Sequence, residues 1–281
     1  MKSPRAVFVT DLDGTLLSPD RTLAAENRAA LETLGGSGIV RVVATGRSLY
    51  TFFTALPADL PIDYLIFSTG SGVLDFKARR IIRSGGITRG QALAASLAFL
   101  ELGLDFCLYD PVPDNHRFSY HATGRSNPDF FAYLDRNGAF GRPMHRLPAS
   151  SAGQILCIAP EWPGDGLMQE LAPKLDGAKV VRATSPADHR SAWIEVLGAS
   201  AGKAEAARWL TEEHLGLHGA STCAVGNDYN DRDLLSWAEE AFVTENAPAS
   251  IRRIHATVPV ERAVARAAAQ WMGRRRSSLQ G

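Results

Sequence analysis

The sequence predicts an α/β protein in which a doubly wound parallel sheet is interrupted by an inserted α+β domain. At both ends of the chain, short β-branched runs such as Ala6–Thr10 and Ile39–Ala44 alternate with segments of helical periodicity. This alternation favours right-handed βαβ units. The middle of the chain instead combines hairpin-like strands, frequent turns and separate helices. We therefore expect residues 1–83 and 199–281 to form one core, and residues 84–198 to form the insert.

The first half of the predicted core consists of strands that alternate with helices. The strands are predicted over Ala6–Thr10, Ile39–Ala44 and Tyr64–Phe67, and the helices over Leu23–Leu34 and Ser48–Leu56. Gly35 and Gly36 follow the first helix and Pro57 follows the second, as is typical of helix ends. A hairpin-like segment over Val73–Ile82 then leads into the insert.

The insert and the second half of the core follow the same rules of periodicity. In the insert, helices are predicted over Gln91–Leu102, Asp129–Arg136 and Gly164–Leu175. Its strands are predicted over Leu104–Tyr109, Arg117–His121, Gln154–Ala159, Lys179–Ala183 and Ala192–Leu197. The core then resumes with helices over Lys203–Leu215, Arg232–Ala238 and Ala263–Met272, and with strands over Thr222–Val225 and Ala241–Thr244.

The composition excludes several classes of protein. The chain has 281 residues, of which 45% are hydrophobic, and its 30 basic and 30 acidic residues give a formal net charge of +0. Nothing in this balance favours a nucleic-acid or membrane partner. No apolar run suits a signal peptide or a membrane span, so we expect a cytoplasmic protein. Cys107, Cys157 and Cys223 lie in apolar stretches, which suits buried, reduced thiols.

Acidic residues follow two of the predicted core strands. Asp11 and Asp13 come directly after the first strand, and Asn227, Asp228 and Asp231 follow a later one. The carboxyl ends of parallel strands are where ligands bind, and carboxylates that share a small volume require a cation. Mg²⁺ suits such oxygen ligands. Either cluster alone could be a turn or a helix cap, but two clusters at strand ends favour a metal site.

Two further segments have the chemistry of a phosphate site. Thr45, Gly46 and Arg47 follow the second strand and open a helix, so a hydroxyl and backbone N–H groups are available for a phosphoryl oxygen. Lys203 begins a later helix and offers a point charge to a phosphate. An isolated lysine at such a position more often lies on a solvated helix face.

In combination these residues resemble the four motifs of the haloacid dehalogenase superfamily of phosphohydrolases. The motifs are matched in order by Asp11-Leu12-Asp13-Gly14-Thr15-Leu16, Thr45-Gly46-Arg47, Lys203 and Gly226-Asn227-Asp228-Tyr229-Asn230-Asp231. The long insert resembles the type IIB cap of the subclass that contains Cof-type, sucrose-phosphate and mannosyl-phosphoglycerate phosphatases. The resemblance spans essentially the whole chain and implies a Rossmann-like core with an inserted α+β cap domain.

The resemblance also implies roles for individual residues. Asp11 is expected to be the nucleophile that forms an aspartyl-phosphate, and Asp13 the general acid and base. Mg²⁺ is the expected cofactor. Its expected ligands are Asp11, Asp13 (through its backbone carbonyl), Asn227, Asp228 and Asp231. The residues expected to bind phosphate or substrate are Thr45, Gly46, Arg47, Lys203 and Asn230.

The sequence departs from the family pattern in two places. An acid commonly follows the glycine of the fourth motif, whereas here that position is Asn227. An amide oxygen binds Mg²⁺ less strongly than a carboxylate does, so either Asp228 or Asp231 supplies the missing charge or the metal site is weaker. The segment Ser68-Thr69-Gly70 lies where relatives often have an asparagine before the glycine.

By resemblance, the insert would select the substrate. Its candidate polar contacts are His116, Arg117, His121 and Arg125. Its aromatic residues could stack on a sugar or form the core of the cap, and they include Phe106, Tyr109, Phe130, Phe131 and Tyr133.

The resemblance therefore predicts a Mg²⁺-dependent phosphomonoesterase that acts on a small phosphorylated metabolite, with a sugar phosphate as the leading candidate. One alternative is a phosphomutase or phosphotransferase that uses the same aspartyl-phosphate. Another is a non-catalytic protein that binds a phosphorylated ligand. We expect a monomer or a homodimer with no nucleic-acid or membrane partner.

Overall fold

The chain folds into two compact units. A computed structural model describes residues 6–57, 59–160, 166–175, 177–185 and 190–278. The core unit comprises Met1–Arg47, Phe52–Arg83 and Lys203–Gly281. The insert unit comprises Ser48–Thr51 and Ser84–Gly202.

Strands and helices alternate at both ends of the chain, as the sequence pattern predicts. The strands are β1 (Ala6–Thr10), β2 (Val40–Ala44), β3 (Tyr64–Phe67), β4 (Gly72–Asp75), β5 (Arg80–Ser84), β6 (Asp105–Tyr109), β7 (Phe118–His121), β8 (Gly141–Pro143), β9 (Ile155–Ala159), β10 (Ala178–Thr184), β11 (Ala192–Gly198), β12 (Ser221–Gly226), β13 (Glu240–Thr244) and β14 (Ala256–Val258). The helices are α1 (Ala25–Gly36), α2 (Leu49–Ala55), α3 (Arg89–Glu101), α4 (Pro128–Asn137), α5 (Gly166–Leu171), α6 (Lys203–Arg208), α7 (Arg232–Trp237), α8 (Ala249–Arg252) and α9 (Ala263–Ser278).

The core unit is built on an eight-stranded sheet with the order β14-β13-β12-β1-β2-β3-β4-β5. The strands from β14 to β3 are parallel, and β4 is antiparallel to β3. All five residues of β1 are buried, as expected for a central parallel strand. The winding direction reverses between β1 and β12, and such a switch point is where ligands bind in open α/β sheets. The predicted doubly wound α/β core is confirmed.

The insert unit contains a six-stranded sheet with the order β10-β11-β9-β6-β7-β8. Its strand pairs are antiparallel except for β7 and β8. Alternate residues of β6 enter separate apolar clusters, because successive side chains on a strand point to opposite faces. Phe106 packs in the cluster of Phe99 and Leu167, whereas Cys107 packs in the cluster of Phe130. Helices therefore cover both faces, and the predicted α+β character of the insert is confirmed.

Several elements differ from the sequence prediction. The pattern gave no sign of β8, α8 and β14, which have only three or four residues each. The helix that starts at Lys203 changes at Trp209 to a π-helical turn that ends at His214. The last helix continues beyond Met272 to Ser278, and Arg274 on it pairs with Glu240 at 2.6 Å. The predicted start of α5 at Gly164 falls outside the described residues.

The three cysteines are free and buried, as predicted. Burial raises the pKa of the thiols of Cys107, Cys157 and Cys223, so these groups stay protonated at neutral pH. A buried, protonated thiol is a poor nucleophile and a poor metal ligand. Within the described part of the chain, no helix has both the length and the apolar composition needed to cross a membrane.

Candidate active site

Asp11 lies at the carboxyl end of the central strand β1. Its backbone N–H donates to the carbonyl of Val225 on β12 at 2.8 Å, so the chain leaving β1 stays beside the neighbouring strand. The backbone of the next turn folds back, with the N–H of Leu16 donating to the carbonyl of Asp11 at 3.3 Å. The side chain of Asp11 is only 7% exposed. It is therefore a buried acid at the switch point of the sheet.

Lys203 lies between two buried carboxylates. Its Nζ donates to Oδ1 of Asp11 at 2.7 Å and to Oδ1 of Asp231 at 2.6 Å. All three side chains are buried. The two carboxylates raise the pKa of Lys203 and keep the ammonium group charged, although burial alone would lower this pKa. The first residue of α6 thus joins the first and fourth motifs through one buried cation.

The pKa of Asp11 is raised from 3.8 to about 7. Burial is the main cause, because it penalises the charged form, and the negative charges of Asp231 and Asp13 act in the same direction. Lys203 opposes these effects. In this environment a further cation beside Asp11 would favour the ionised form, which is the form that a nucleophilic carboxylate requires.

Asp231 anchors the loop that follows β12. Its Oδ2 accepts hydrogen bonds from the backbone N–H groups of Asn227 at 2.8 Å and Asp228 at 3.1 Å. This loop packs so closely that a Cβ on Gly226 would lie 2.7 Å from the Cβ of Asp231. Because real Cβ atoms do not approach one another this closely, only glycine fits at position 226 without a shift of Asp231. Because Oδ1 of Asp231 binds Lys203 and Oδ2 binds these two N–H groups, both carboxylate oxygens are already hydrogen-bonded.

The two acidic clusters meet at Gly14. This residue has a φ of +74°, and a Cβ on it would lie 2.6 Å from Nδ2 of Asn227 and 3.0 Å from Nδ2 of Asn246. The side-chain amide of Asn227 consequently packs against the loop that carries Asp11 and Asp13. Asn246 was not among the site residues predicted from the sequence. It follows the parallel strand β13, so the rule that singled out polar residues after β1 and β12 could also have found it.

Backbone hydrogen bonds join the segment after β2, which contains Thr45 and Arg47, to the turn Ser68–Gly70 that follows β3. Thr45 is buried, and its Oγ1 accepts a hydrogen bond from the backbone N–H of Arg47 at 3.1 Å. The N–H of Ser68 donates to the carbonyl of Arg47 at 2.8 Å, and the N–H of Thr69 donates to the carbonyl of Thr45 at 3.0 Å. Gly46, between the two held residues, is exposed.

Arg47 and Asp13 form a bidentate ion pair. Nε of Arg47 lies 2.8 Å from Oδ2 of Asp13, and Nη2 of Arg47 lies 2.5 Å from Oδ1. From the sequence, Arg47 is expected to bind phosphate or substrate, but in the structure this edge of its guanidinium faces Asp13. The side chain of Asp13 is 47% exposed, which contrasts with the burial of Asp11.

The remaining candidate residues take different positions. Asn230 is half-buried in the 3₁₀ turn Tyr229–Asp231. In the insert unit, Arg117 and Arg125 are exposed, and His116 and His121 are half-buried. Among the aromatic candidates, Phe106, Tyr109 and Phe130 are buried in the apolar clusters and Phe131 is exposed, while the hydroxyl of Tyr133 lies 2.6 Å from that of Tyr109. Three of the five aromatic residues therefore belong to the core of the insert.

The residues around Asp11 fit a cation that prefers oxygen ligands. When ionised, Asp11 and Asp231 carry two negative charges against the single positive charge of Lys203, so one negative charge is left to neutralise. In the described ranges no group of three or more His, Cys, Asp or Glu side chains is placed to hold a metal. A metal here would therefore need amide and carbonyl oxygens besides the Asp11 carboxylate, and Mg²⁺ accepts these.

Known proteins resemble this chain over most of its length. A family model described as haloacid dehalogenase-like hydrolase matches residues 8–260. An HMP-PP phosphatase of Cronobacter sakazakii is 29% identical over 242 residues, which cover 84% of this chain and 83% of that protein. The 5-amino-6-(5-phospho-D-ribitylamino)uracil phosphatase of Bacillus subtilis is 25% identical over 256 residues, covering 84% of this chain and 86% of that protein.

Solved structures share the fold at low sequence identity. The subclass IIB sugar phosphatase BT4131 matches with a TM-score of 0.75 and 17% identity, covering 95% of this chain and 98% of that one. A haloacid dehalogenase-like hydrolase from Bacillus subtilis matches with a TM-score of 0.71 and 20% identity, covering 93% and 98%. At these identities the likeness establishes the common fold.

Proposed function

Since this chain belongs to the haloacid dehalogenase-like hydrolases, we propose that Asp11 is the nucleophile of a Mg²⁺-dependent phosphomonoesterase reaction. The chain is a phosphatase of this family. The observation that supports the proposed role is the hydrogen bonding of the Asp11 carboxyl group. Lys203 binds its Oδ1, whereas its Oδ2 has no hydrogen-bond partner among the described residues. One oxygen is thereby fixed and the other is available to attack phosphorus.

In the first step, Oδ2 of Asp11 forms a bond to phosphorus and the bond from phosphorus to the leaving oxygen breaks. The electron pair of that bond goes to the leaving oxygen, which takes a proton from Asp13. In the second step, Asp13 removes a proton from a water molecule that attacks the aspartyl-phosphate. The bond between Asp11 and phosphorus then breaks, which releases inorganic phosphate and restores the carboxylate.

The phosphoryl oxygens need donors and a compensating charge. We assign these roles to the hydroxyl of Thr45, the backbone N–H of Gly46, the ammonium group of Lys203 and the side chain of Asn230. Asp11, the carbonyl of Asp13, and Asn227 with Asp228 would hold Mg²⁺, while Asp231 contributes its charge through Lys203. When bound, Mg²⁺ neutralises charge on the phosphoryl group that is transferred.

The substrate is proposed to be a small phosphorylated metabolite, with sugar phosphates as the leading class. The core-plus-insert fold shared with a sugar phosphatase supports this class. The similar protein from Bacillus subtilis is a phosphatase of a phosphorylated ribitylaminouracil, so phosphorylated pyrimidine derivatives form a second set for testing. We place the choice between substrates in the insert unit.

A phosphate-release screen over both sets, with Mg²⁺ and with EDTA, tests this function. We expect turnover of at least one compound that is abolished by EDTA and by Asp11→Asn, with circular dichroism unchanged. Asp20→Asn, which alters an exposed acid, is the matched control and should keep full activity. A labelled phosphoenzyme should form in the wild type and be absent from Asp11→Asn. Absence of turnover throughout the screen would refute the proposal.

Product analysis distinguishes hydrolysis from transfer. A phosphomutase or phosphotransferase would form the same phosphoenzyme but would pass the phosphoryl group to a second hydroxyl. Release of one inorganic phosphate per substrate consumed is the result expected here. An isomeric phosphate ester without free phosphate would assign the chain to the transferases.

A further inference from the structure

Arg47 presents one edge of its guanidinium group to Asp13. Nε and Nη2 of Arg47 donate to separate oxygens of the carboxylate at 2.8 and 2.5 Å. A single hydrogen bond lets a carboxylate rotate, whereas two parallel bonds fix its plane as well as its position. Asp13 is half-exposed, and without this pair its side chain would be free to take other rotamers.

The backbone of Arg47 is itself held at two points. Its N–H donates to Oγ1 of Thr45 at 3.1 Å, and its carbonyl accepts from the N–H of Ser68 at 2.8 Å. Ser68 and Thr69 have φ values of +49° and +50°, in the left-handed region that residues with a Cβ seldom occupy. Such strain persists only where the surroundings enforce it, and it clusters at functional sites.

The strained turn also packs against α6, the helix that begins with Lys203. One turn therefore supports both the segment that carries Arg47 and the helix that carries the cation beside Asp11. Because the two sides of the site share this support, the position of Arg47 is fixed relative to Asp11 as well as to Asp13.

We propose that Arg47 is a positioning residue for Asp13 and not a ligand of the phosphoryl group. The inference rests on the proposed function, in which Asp13 transfers protons. Arg47 holds the Asp13 side chain in the plane and at the place from which its carboxylic acid form protonates the leaving oxygen and the resulting carboxylate later deprotonates water. The planar fork is essential to this role, since a lysine at this position retains the charge but offers no bidentate edge.

The proposal predicts a particular kinetic change in Arg47→Ala. Removing a correctly placed general acid and base costs about 10²–10⁴-fold, so we expect kcat to fall by at least about tenfold. KM and inhibition by inorganic phosphate should change by less than about threefold, because no interaction with the ground-state phosphate is lost. Arg47→Lys should be impaired to a similar degree. A ligand that acts by charge would instead be partly rescued by lysine.

The leaving group provides an independent readout. Proton donation matters for an alkyl phosphate and matters little for p-nitrophenyl phosphate, whose leaving group is stable as an anion. In single-turnover experiments, phosphoenzyme formation by Arg47→Ala should therefore be slowed more for the alkyl phosphate than for p-nitrophenyl phosphate. In an Asp13→Asn background, Arg47→Ala should change either rate by less than about twofold, since residues that act as a unit are not additive.

Arg41→Ala is the matched control. Arg41 lies on β2, and its Nε and Nη2 bind the two oxygens of Asp63 at 2.9 and 2.7 Å, so the pair has the same geometry away from the strand end. Its removal should leave kcat, KM and leaving-group dependence unchanged. Thermal unfolding of every variant reports whether the fold is retained.

The possible outcomes separate the two proposals. A wild type without turnover refutes the proposed function, and the positioning role falls with it. An active wild type whose Arg47→Ala variant shows a raised KM and weakened phosphate inhibition refutes only the positioning role, as does partial or full rescue by Arg47→Lys or additivity with Asp13→Asn.

Discussion

Asp11 is a buried carboxyl group with one cation and one anion as close neighbours. Burial and the carboxylate of Asp231 raise its pKa, and Lys203 lowers it, with a result of about 7. In the absence of metal, the protonated and ionised forms are therefore both populated near neutral pH. An ordinary aspartate would be fully ionised under these conditions.

This raised pKa predicts how the stability of the metal-free protein depends on pH. Between about pH 4 and pH 7 the folded protein binds a proton at Asp11 that the unfolded chain has lost, so the contribution of Asp11 to the free energy of unfolding falls as pH rises. The contribution is fully present below the unfolded pKa, and it is lost as pH passes 7. Urea unfolding in EDTA at several pH values measures this slope, which one proton limits to about 1.4 kcal/mol per pH unit.

Asp11→Asn removes the titrating group and is the control for this measurement. Between pH 4 and pH 7 the free energy of unfolding of the variant should fall less, or rise more, with pH than that of the wild type, because other groups contribute equally to both proteins. Excess Mg²⁺ should shift the wild-type slope in the same direction, because a cation favours the ionised form of Asp11. Identical slopes for wild type and variant would show that the pKa of Asp11 does not differ between the folded and unfolded states.

At the scale of secondary-structure elements, the end of β12 depends on a residue without a side chain. A methyl group at Gly226 would lie 2.7 Å from the Cβ of Asp231, and Asp231 is the carboxylate that binds Lys203 and the following backbone N–H groups. We expect Gly226→Ala to lower the free energy of unfolding by about 1–3 kcal/mol through overpacking, measured by urea titration. It should also reduce kcat, because Asp231 must move.

Gly36→Ala is the matched control for this substitution. Gly36 ends α1, and an added Cβ there would meet nothing within 4 Å. Alanine in a helix is favoured over glycine by about 0.5–1 kcal/mol, so this variant should be as stable as the wild type or more stable. Equal stability of both variants would contradict the role assigned to close packing at Gly226.

The sequence pattern predicted elements well where an apolar period extends over several residues. The bounds of β1 and β3 were predicted to the residue, because both are short apolar runs between polar residues. The π-helical turn after Arg208 was not predicted, since it depends on local hydrogen bonding and leaves the apolar period almost unchanged. The shortest strands, β8 and β14, were not predicted, because three residues define no period.

The site was predicted in part for the same kind of reason. Strand-end acids and the lysine suggested Asp11, Asp231 and Lys203, and the structure brings these three side chains together. The pair of Arg47 with Asp13 could not be predicted from the sequence, because a guanidinium group can bind either a carboxylate or a phosphate. Only the geometry of the folded chain distinguishes the two.

At the scale of the whole molecule, the insert leaves and rejoins the core unit at two points that lie close together. The chain leaves the core after Arg83 and returns shortly before Glu205. Nη1 of Arg83 donates to the carbonyl of Glu205 at 3.3 Å. In the insert unit the connecting segments also touch, since a Cβ on Gly198 would lie 2.3 Å from the carbonyl oxygen of Gly86. Insertions are tolerated at such sites, because the ends of the host and of the guest are both close together.

This adjacency predicts that the core can close without the insert. Replacing residues 85–201 with a short Gly-Ser linker should leave a folded core, measured by cooperative unfolding in circular dichroism. Hydrolysis of p-nitrophenyl phosphate should persist, while discrimination among metabolites should fall, because the residues proposed to select the substrate are gone. A core that aggregates or unfolds without cooperativity would contradict this prediction.

The separation of Asp11 and Lys203 by 192 residues along the chain has a consequence for biosynthesis. At 5–20 residues per second, the ribosome adds the lysine roughly 10–40 s after the aspartate. The strand that flanks β1 on one side is translated later still. During that interval the nascent polypeptide holds Asp11, the nucleophile that we propose, without the Lys203 ammonium group that is its counter-ion in the folded protein. Hydrolytic competence is therefore acquired only near the end of translation, so a prematurely terminated product that still carries the first motif should be inert.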